Sequence, residues 1–149
     1  MKDKSDLVQG WLLKAESDLV AARLMVESEG PYDTACFHCQ QAIEKLLKAF
    51  LLHHDQKILH THDLEELARL CSLFDTTLEW ESLDLEQIAD YAVAARYDFE
   101  FWPDPNVARE ALGKAEKLKE EILGRLQQGV ESHQTSGESA EPEDAPSTT

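Results

Sequence analysis

Arg96, followed directly by Tyr97 and Asp98, is the group in this chain best suited to meeting a phosphate. A guanidinium offers a planar fork of donors that matches phosphate oxygens, and a neighbouring ring can stack on a base. The stretch after it is dense in aromatics, with Phe99, Phe101 and Trp102 ahead of Pro103 and Pro105. The competing reading pairs Arg96 with Asp90, Asp98 or Glu100 and uses the rings to finish a core. A second polar set lies upstream. Gln41, Lys45 and Lys48 share a helical line with Phe37 and Leu52, which makes two ammonium groups and an amide candidates for a nucleotide phosphate. Here the competing reading is a solvated face whose lysines pair with Glu44 and other carboxylates.

Other chemistry finds less support. His53, His54, Asp55, His60, His62 and Asp63 are all capable of binding a metal. However, no two histidines stand four apart on one helix, and His62-Asp63-Leu64 reads as a helix start. No metal or other cofactor is expected. Cys36 and Cys39 form a C-x-x-C inside a helical pattern, with no strand before it to set the thiols at a helix N-terminus. With Cys71 the cysteines are odd in number and fall on apolar positions, which predicts reduced core thiols. The sequence offers no serine or cysteine nucleophile with a partner set and no glycine-rich phosphate loop.

The elements that must hold these groups are helical almost throughout. In the central stretch, apolar residues recur at Tyr32, Ala35, Cys36, Cys39, Ala42, Ile43, Leu46, Leu47, Phe50 and Leu51. Steps of three and four predict one continuously apolar face on a helix over 32–52, with Pro31 in its first turn. A first helix is expected from Ser5 or Asp6, as cap, to about Glu27. Its buried face is Trp11, Leu12, Ala15, Leu19, Ala22 and Val26, and Lys14, Glu16, Asp18 and Arg23 are expected outside. A loop over 55–62 follows, with Ile58 and Leu59 plugged into the core. Thr61, His62 or Asp63 then caps a short third helix ending near Leu73. After a connector anchored by Trp80, a fourth helix runs over 84–97 and carries Arg96. Asp104 is expected to cap a fifth helix opening at Pro105 and reaching about Leu126.

Composition bounds the rest. The chain has 149 residues and a formal net charge of −16. Residues 128–149 hold Glu131, Glu138, Glu141, Glu143 and Asp144 with no Lys or Arg, and are rich in Ser, Thr, Pro and Gly. Such a segment buries too little apolar surface to offset its ordering entropy, so the expected division is a bundle over 1–127 and a disordered acidic tail over 128–149. An acidic body is not a general binder of nucleic-acid backbones, so any phosphate contact must be local. No apolar run approaches membrane-spanning length and no signal peptide is read, which predicts a cytoplasmic protein.

Three stretches in order, ACFHCQQAIEKLLKAFLL, HTHDLEEL and YAVAARYDF, resemble the HEPN family of small helical domains. The resemblance covers about Leu7 to Leu126. It implies a two-fold homodimer and one of two roles: an RNA-cleaving toxin, or the partner of a minimal nucleotidyltransferase in a two-component, toxin–antitoxin-like system. In the family's nucleases the arginine is followed, after four to six residues, by a histidine. Here those positions hold Phe101, Trp102 and Pro103, none of which can act as acid or base. Arg125 and His133, the nearest such pair, have seven residues between them. The tyrosine that accepts nucleotides in some members has no counterpart, and that role is not carried to Tyr97. The combined expectation is an all-α, five-helix antiparallel up-down bundle that is a non-catalytic partner of a nucleotidyltransferase. A nucleotide is expected at Arg96 and Tyr97, with Gln41, Lys45 and Lys48 as further candidates. The alternatives are a metal-independent RNase with a degenerate site and a plain dimeric assembly module.

Overall fold

The structure, a computed structural model, describes the backbone of residues 2–57, 60–78 and 84–147, and within these the side chains as far as 127. The expected positions of Ile58, Leu59 and Trp80 lie outside the described residues. So do the side chains of 128–149, on which the expectation of a disordered tail falls.

Described residues form helices α1 (Lys4–Glu27), α2 (Tyr32–His53), α3 (Leu64–Ser72), α4 (Leu85–Ala89), α5 (Tyr91–Tyr97) and α6 (Pro105–Ser147). The architecture is the expected all-α bundle, with α2 at its centre in contact with each of the other helices. The periodic apolar face explains this position. Ala35, Cys36, Cys39, Ala42, Ile43, Leu46, Leu47, Phe50 and Leu51 are all buried, and a stripe this wide must be covered from several sides. Ala15, Leu19 and Ala22 of α1, Leu64, Leu67 and Cys71 of α3, and Ala108, Ala111, Ala115, Leu118 and Ile122 of α6 supply the cover. The small residues on α1 and α6 let both helices approach α2 closely.

Local signals set the helix ends, with some departures from expectation. The cap of α1 is Asp3 rather than Ser5 or Asp6: Asp3 accepts from the Asp6 amide, and Asp6 accepts from the Asp3 amide in return. This reciprocal pair satisfies two donors at once, which a cap at Ser5 would not. Pro31 is the cap residue of α2 rather than part of its first turn. Asp63 is the cap of α3, accepting from the Glu65 and Glu66 amides. Asp104 Oδ1 accepts from the Val107 amide at 3.0 Å and opens α6 at Pro105, as expected, but the helix continues to Ser147, past its expected end at about Leu126. The single fourth helix expected over 84–97 is instead two short ones, α4 and α5, which meet at Asp90. Ile88 and Tyr91 are both buried and stand three residues apart. Residues three apart share one face of a helix, so both reach the core across the junction at Asp90.

Candidate functional site

Arg96 sits in the last turn of α5. Its Nε donates to the Ala92 carbonyl at 2.8 Å, which lays the stem along the helix. The guanidinium carbon lies 5.5 Å from the centre of the Phe37 ring on α2 and 5.2 Å from that of Tyr97. Among the described residues no carboxylate comes within ion-pairing distance of it. The pairing with Asp90, Asp98 or Glu100 weighed from the sequence is therefore not formed, and the charge is left to ring faces and solvent.

The aromatic stretch divides in two. Phe101 turns inward, 5.6 Å from the Tyr91 ring, and packs against the core. Tyr97, Phe99 and Trp102 stay outside, at 66%, 89% and 74% exposure. Hydrogen bonds hold this stretch in shape: Asp98 Oδ1 accepts from the Glu100 amide, the Phe101 amide donates to the Asp98 carbonyl, and Trp102 Nε1 donates to the Phe99 carbonyl. The exposed rings are thus presented on a braced loop.

The lysines of α2 are differently placed. Lys48 is buried, bonded to Glu44 at 3.2 Å and lying 5.6 Å from the centre of the Trp11 ring. Glu44 is buried too, and the exposed His62 reaches it through Nδ1 at 3.1 Å. Lys45 donates to Asp18 Oδ2 at 2.5 Å, and His38 Nδ1 meets Asp18 Oδ1 at 2.8 Å. Gln41 donates to Gln40 Oε1 at 2.7 Å, while Gln40 Nε2 is buried without a partner in the described residues. The structure therefore joins Arg96, Tyr97 and Phe37, keeps Gln41 one turn from Phe37, and holds Lys45 and Lys48 in ion pairs on the same helix.

Asp18 corrects the sequence reading, which placed it outside. It is buried at 8% exposure because it shares the face of Ala15, Leu19 and Ala22. The spacing carries that signal, although an aspartate at such a position is usually exposed. His38 was missed altogether. Its partner comes from another helix, so no local pattern marks it.

The histidine-rich stretch is divided among structural tasks, and among the described residues no group of three or more ligands is gathered for a metal. Lys4 takes Asp55 at 3.0 Å, His62 goes to Glu44, Asp63 caps α3, and His54 stacks on Phe74 at 5.0 Å. Burial, and then Lys4, lowers the His53 pKa, while burial and then His53 lowers that of His54. The three cysteines are buried and free. Burial first, then Asp33, pushes the Cys36 thiol up to about 12; burial first, then Cys36, does the same for Cys39. Burial also pushes Cys71 far up, and its Sγ donates to the Leu47 carbonyl. None offers a thiolate for nucleophilic chemistry.

Comparison with known proteins adds the following. A family model described as the HEPN domain matches residues 8–126. Among solved structures, ST0689, described as an archaeal HEPN homologue, is similar at 24% identity and a TM-score of 0.64, over 85% of this chain and 99% of that one. That likeness is one of fold. A comparison with curated proteins gave no match.

Proposed function

The chain belongs to the HEPN domain family, and from that premise we propose that it is a non-catalytic member that partners a minimal nucleotidyltransferase in a two-component, toxin–antitoxin-like system and offers a nucleotide site at Arg96. One observation carries the reading: Arg96 has no carboxylate partner among the described residues, and its guanidinium lies over the Phe37 and Tyr97 rings. That set can neutralise a phosphate and stack a base. The positions at which a catalytic histidine would follow Arg96 hold Phe101, Trp102 and Pro103, none of which can act as acid or base. Gln41 lies at the edge of this site, while Lys45 and Lys48 are outlying members whose charges Asp18 and Glu44 already match.

The same proposal includes a homodimer, for which the exposed Val93, Tyr97, Phe99 and Trp102 are suitable contact surface. It also includes the division into a bundle over 1–127 and an acidic tail over 128–149, and a cytoplasmic location. Among the described residues no helix is long and apolar enough to cross a membrane.

The test is titration of the full chain with ribonucleoside monophosphates, together with an RNA-turnover assay, for the wild type and Arg96→Ala. Binding weakened at least tenfold by Arg96→Ala, on the order of 1.4 kcal/mol, without turnover by either protein is the expected result. RNA cleavage that disappears in Arg96→Ala would overturn the reading in favour of an RNase. For the partner, a native mass spectrum of the complex purified from its host should show a second protein of nucleotidyltransferase size. A bare homodimer without ligand would leave an assembly module.

A further inference from the structure

Asp18 and His38 take no part in the site as described so far, yet their arrangement is specific. A buried carboxylate is costly unless its oxygens are bonded. Both Asp18 oxygens are used, Oδ2 by Lys45 and Oδ1 by His38 Nδ1. Lys45 alone balances the charge of Asp18. The second oxygen does something else, which is to fix the orientation of an imidazole. A carboxylate only accepts, so Nδ1 must carry the proton, and in the neutral ring the lone pair then lies on Nε2. The His38 side chain is 25% exposed, and Nε2 has no partner among the described residues. The result is an oriented acceptor on a partly exposed ring.

Phe37 joins this acceptor to Arg96. The His38 ring stands edge-on to Phe37 at 5.4 Å, and the Arg96 guanidinium lies 5.5 Å from the same ring centre. One aromatic ring is thus flanked by a phosphate-binding cation and by a hydroxyl acceptor. We propose that His38, positioned by Asp18, reads the ribose 2′-hydroxyl of a nucleotide whose phosphate sits on Arg96, so that the site takes ribonucleotides in preference to deoxyribonucleotides. The inference rests on the nucleotide reading given above. A site that bonds a hydroxyl discriminates against the analogue lacking it because its acceptor is left unpaired. Water reaches a partly exposed imidazole and replaces part of the loss, so the expected preference is about tenfold.

The experiment uses the full chain and the four ribonucleoside 5′-monophosphates, each against its 2′-deoxy counterpart. Affinities are measured by titration, and the His38 ring nitrogens are followed by ¹⁵N NMR. The expected results are an Nδ1-protonated His38 in the free protein, movement of the Nε2 resonance on ribonucleotide binding, and a ribose preference of about tenfold. His38→Phe should abolish the preference while keeping the Arg96-dependent binding. Asp18→Asn gives Nδ1 an amide donor, reverses the tautomer, and should abolish the preference too. A purely structural clip between α1 and α2 would change the melting temperature of these variants and leave the ribose-to-deoxyribose ratio alone. Arg96-dependent binding with equal ribo and deoxy affinities and an unmoved Nε2 resonance would overturn the inference and leave the proposed function standing. Absence of binding by every nucleotide would overturn both. The wild-type spectrum and affinity ratio decide the matter even if a variant fails to fold.

Discussion

Lys48 on α2 and Arg96 on α5 are both cations close to aromatic rings, but they face opposite surroundings. Lys48 is covered by Trp11, and its side chain and that of Glu44 are only 6% and 5% exposed. Arg96 is exposed and meets two ring faces, a carbonyl and solvent. The difference lies in the covering elements. Lys48 lies on the central helix, under the residues that pack over α2. Arg96 ends a short helix at the rim. A buried cation must bring its anion with it, whereas a rim cation keeps its charge for something else. Residue type alone therefore does not separate a binding residue from a structural one.

The sharpest way to break this comparison is Lys48→Ala. Removing one partner of a buried pair strands the other charge, so a loss of roughly 3–5 kcal/mol is expected. The measurement is the urea unfolding midpoint at constant slope. A loss below about 1 kcal/mol would mean that Glu44 is solvated or rescued by His62, and that the two cations differ less than the geometry says. Glu44→Leu with Lys48→Met together sharpens the point, because replacing both charges by apolar groups of similar size is expected to be close to neutral.

The sequence made the bundle legible because α2 carries its apolar residues at steps of three and four for its whole length, and no other period fits them. The cap at Asp104 was legible for a similar reason, since short-range chemistry decides it, and that of α3 was legible to within the three residues Thr61, His62 and Asp63. The break at Asp90 was not legible. Nothing in the apolar pattern of 84–97 marks it, since Ile88 and Tyr91 fit one face of an unbroken helix as well. The candidate site divides along the same line. Arg96, Tyr97 and the neighbouring rings could be named from their types and order. That Arg96 lies on Phe37 requires knowing how α5 crosses α2, and that Asp18 gathers His38 and Lys45 requires knowing how α1 does. Pairings between helices far apart in the chain leave no trace in a single periodic pattern.

A third treatment of positive charge provides a pH test. His54 lies against Phe50 and Phe74, at 4.6 and 5.0 Å between ring centres. Burial, then His53, lowers its folded pKa from the ordinary value of 6.5. The unfolded chain therefore takes up protons that the folded chain resists. This contribution to stability is complete above the unfolded pKa and is lost as pH falls through the window below it. Unfolding midpoints should decline between pH 7 and pH 5, and His54→Phe, which keeps the stacking and removes the titration, should make that decline shallower. An unchanged slope would place the loss in His53 or in the carboxylates instead.

The smallest expected effect is on the stability side of Arg96→Ala. The side chain forms one hydrogen bond to a carbonyl of its own helix, and its ring contacts are at the surface. Exposed cation–π contacts are worth about 0.5–1 kcal/mol, and the slightly better helix propensity of alanine offsets part of their loss. A loss of no more than about 1 kcal/mol is expected, alongside at least a tenfold loss of nucleotide affinity, on the order of 1.4 kcal/mol. The combination matters more than either number. A residue held for packing loses stability and function together, as Lys48 should. A residue held for binding loses function alone. If Arg96→Ala destabilised the bundle by several kcal/mol, the guanidinium would be bracing α5 against Phe37. Loss of ligand would then follow from loss of shape, and Arg96 would belong with Lys48.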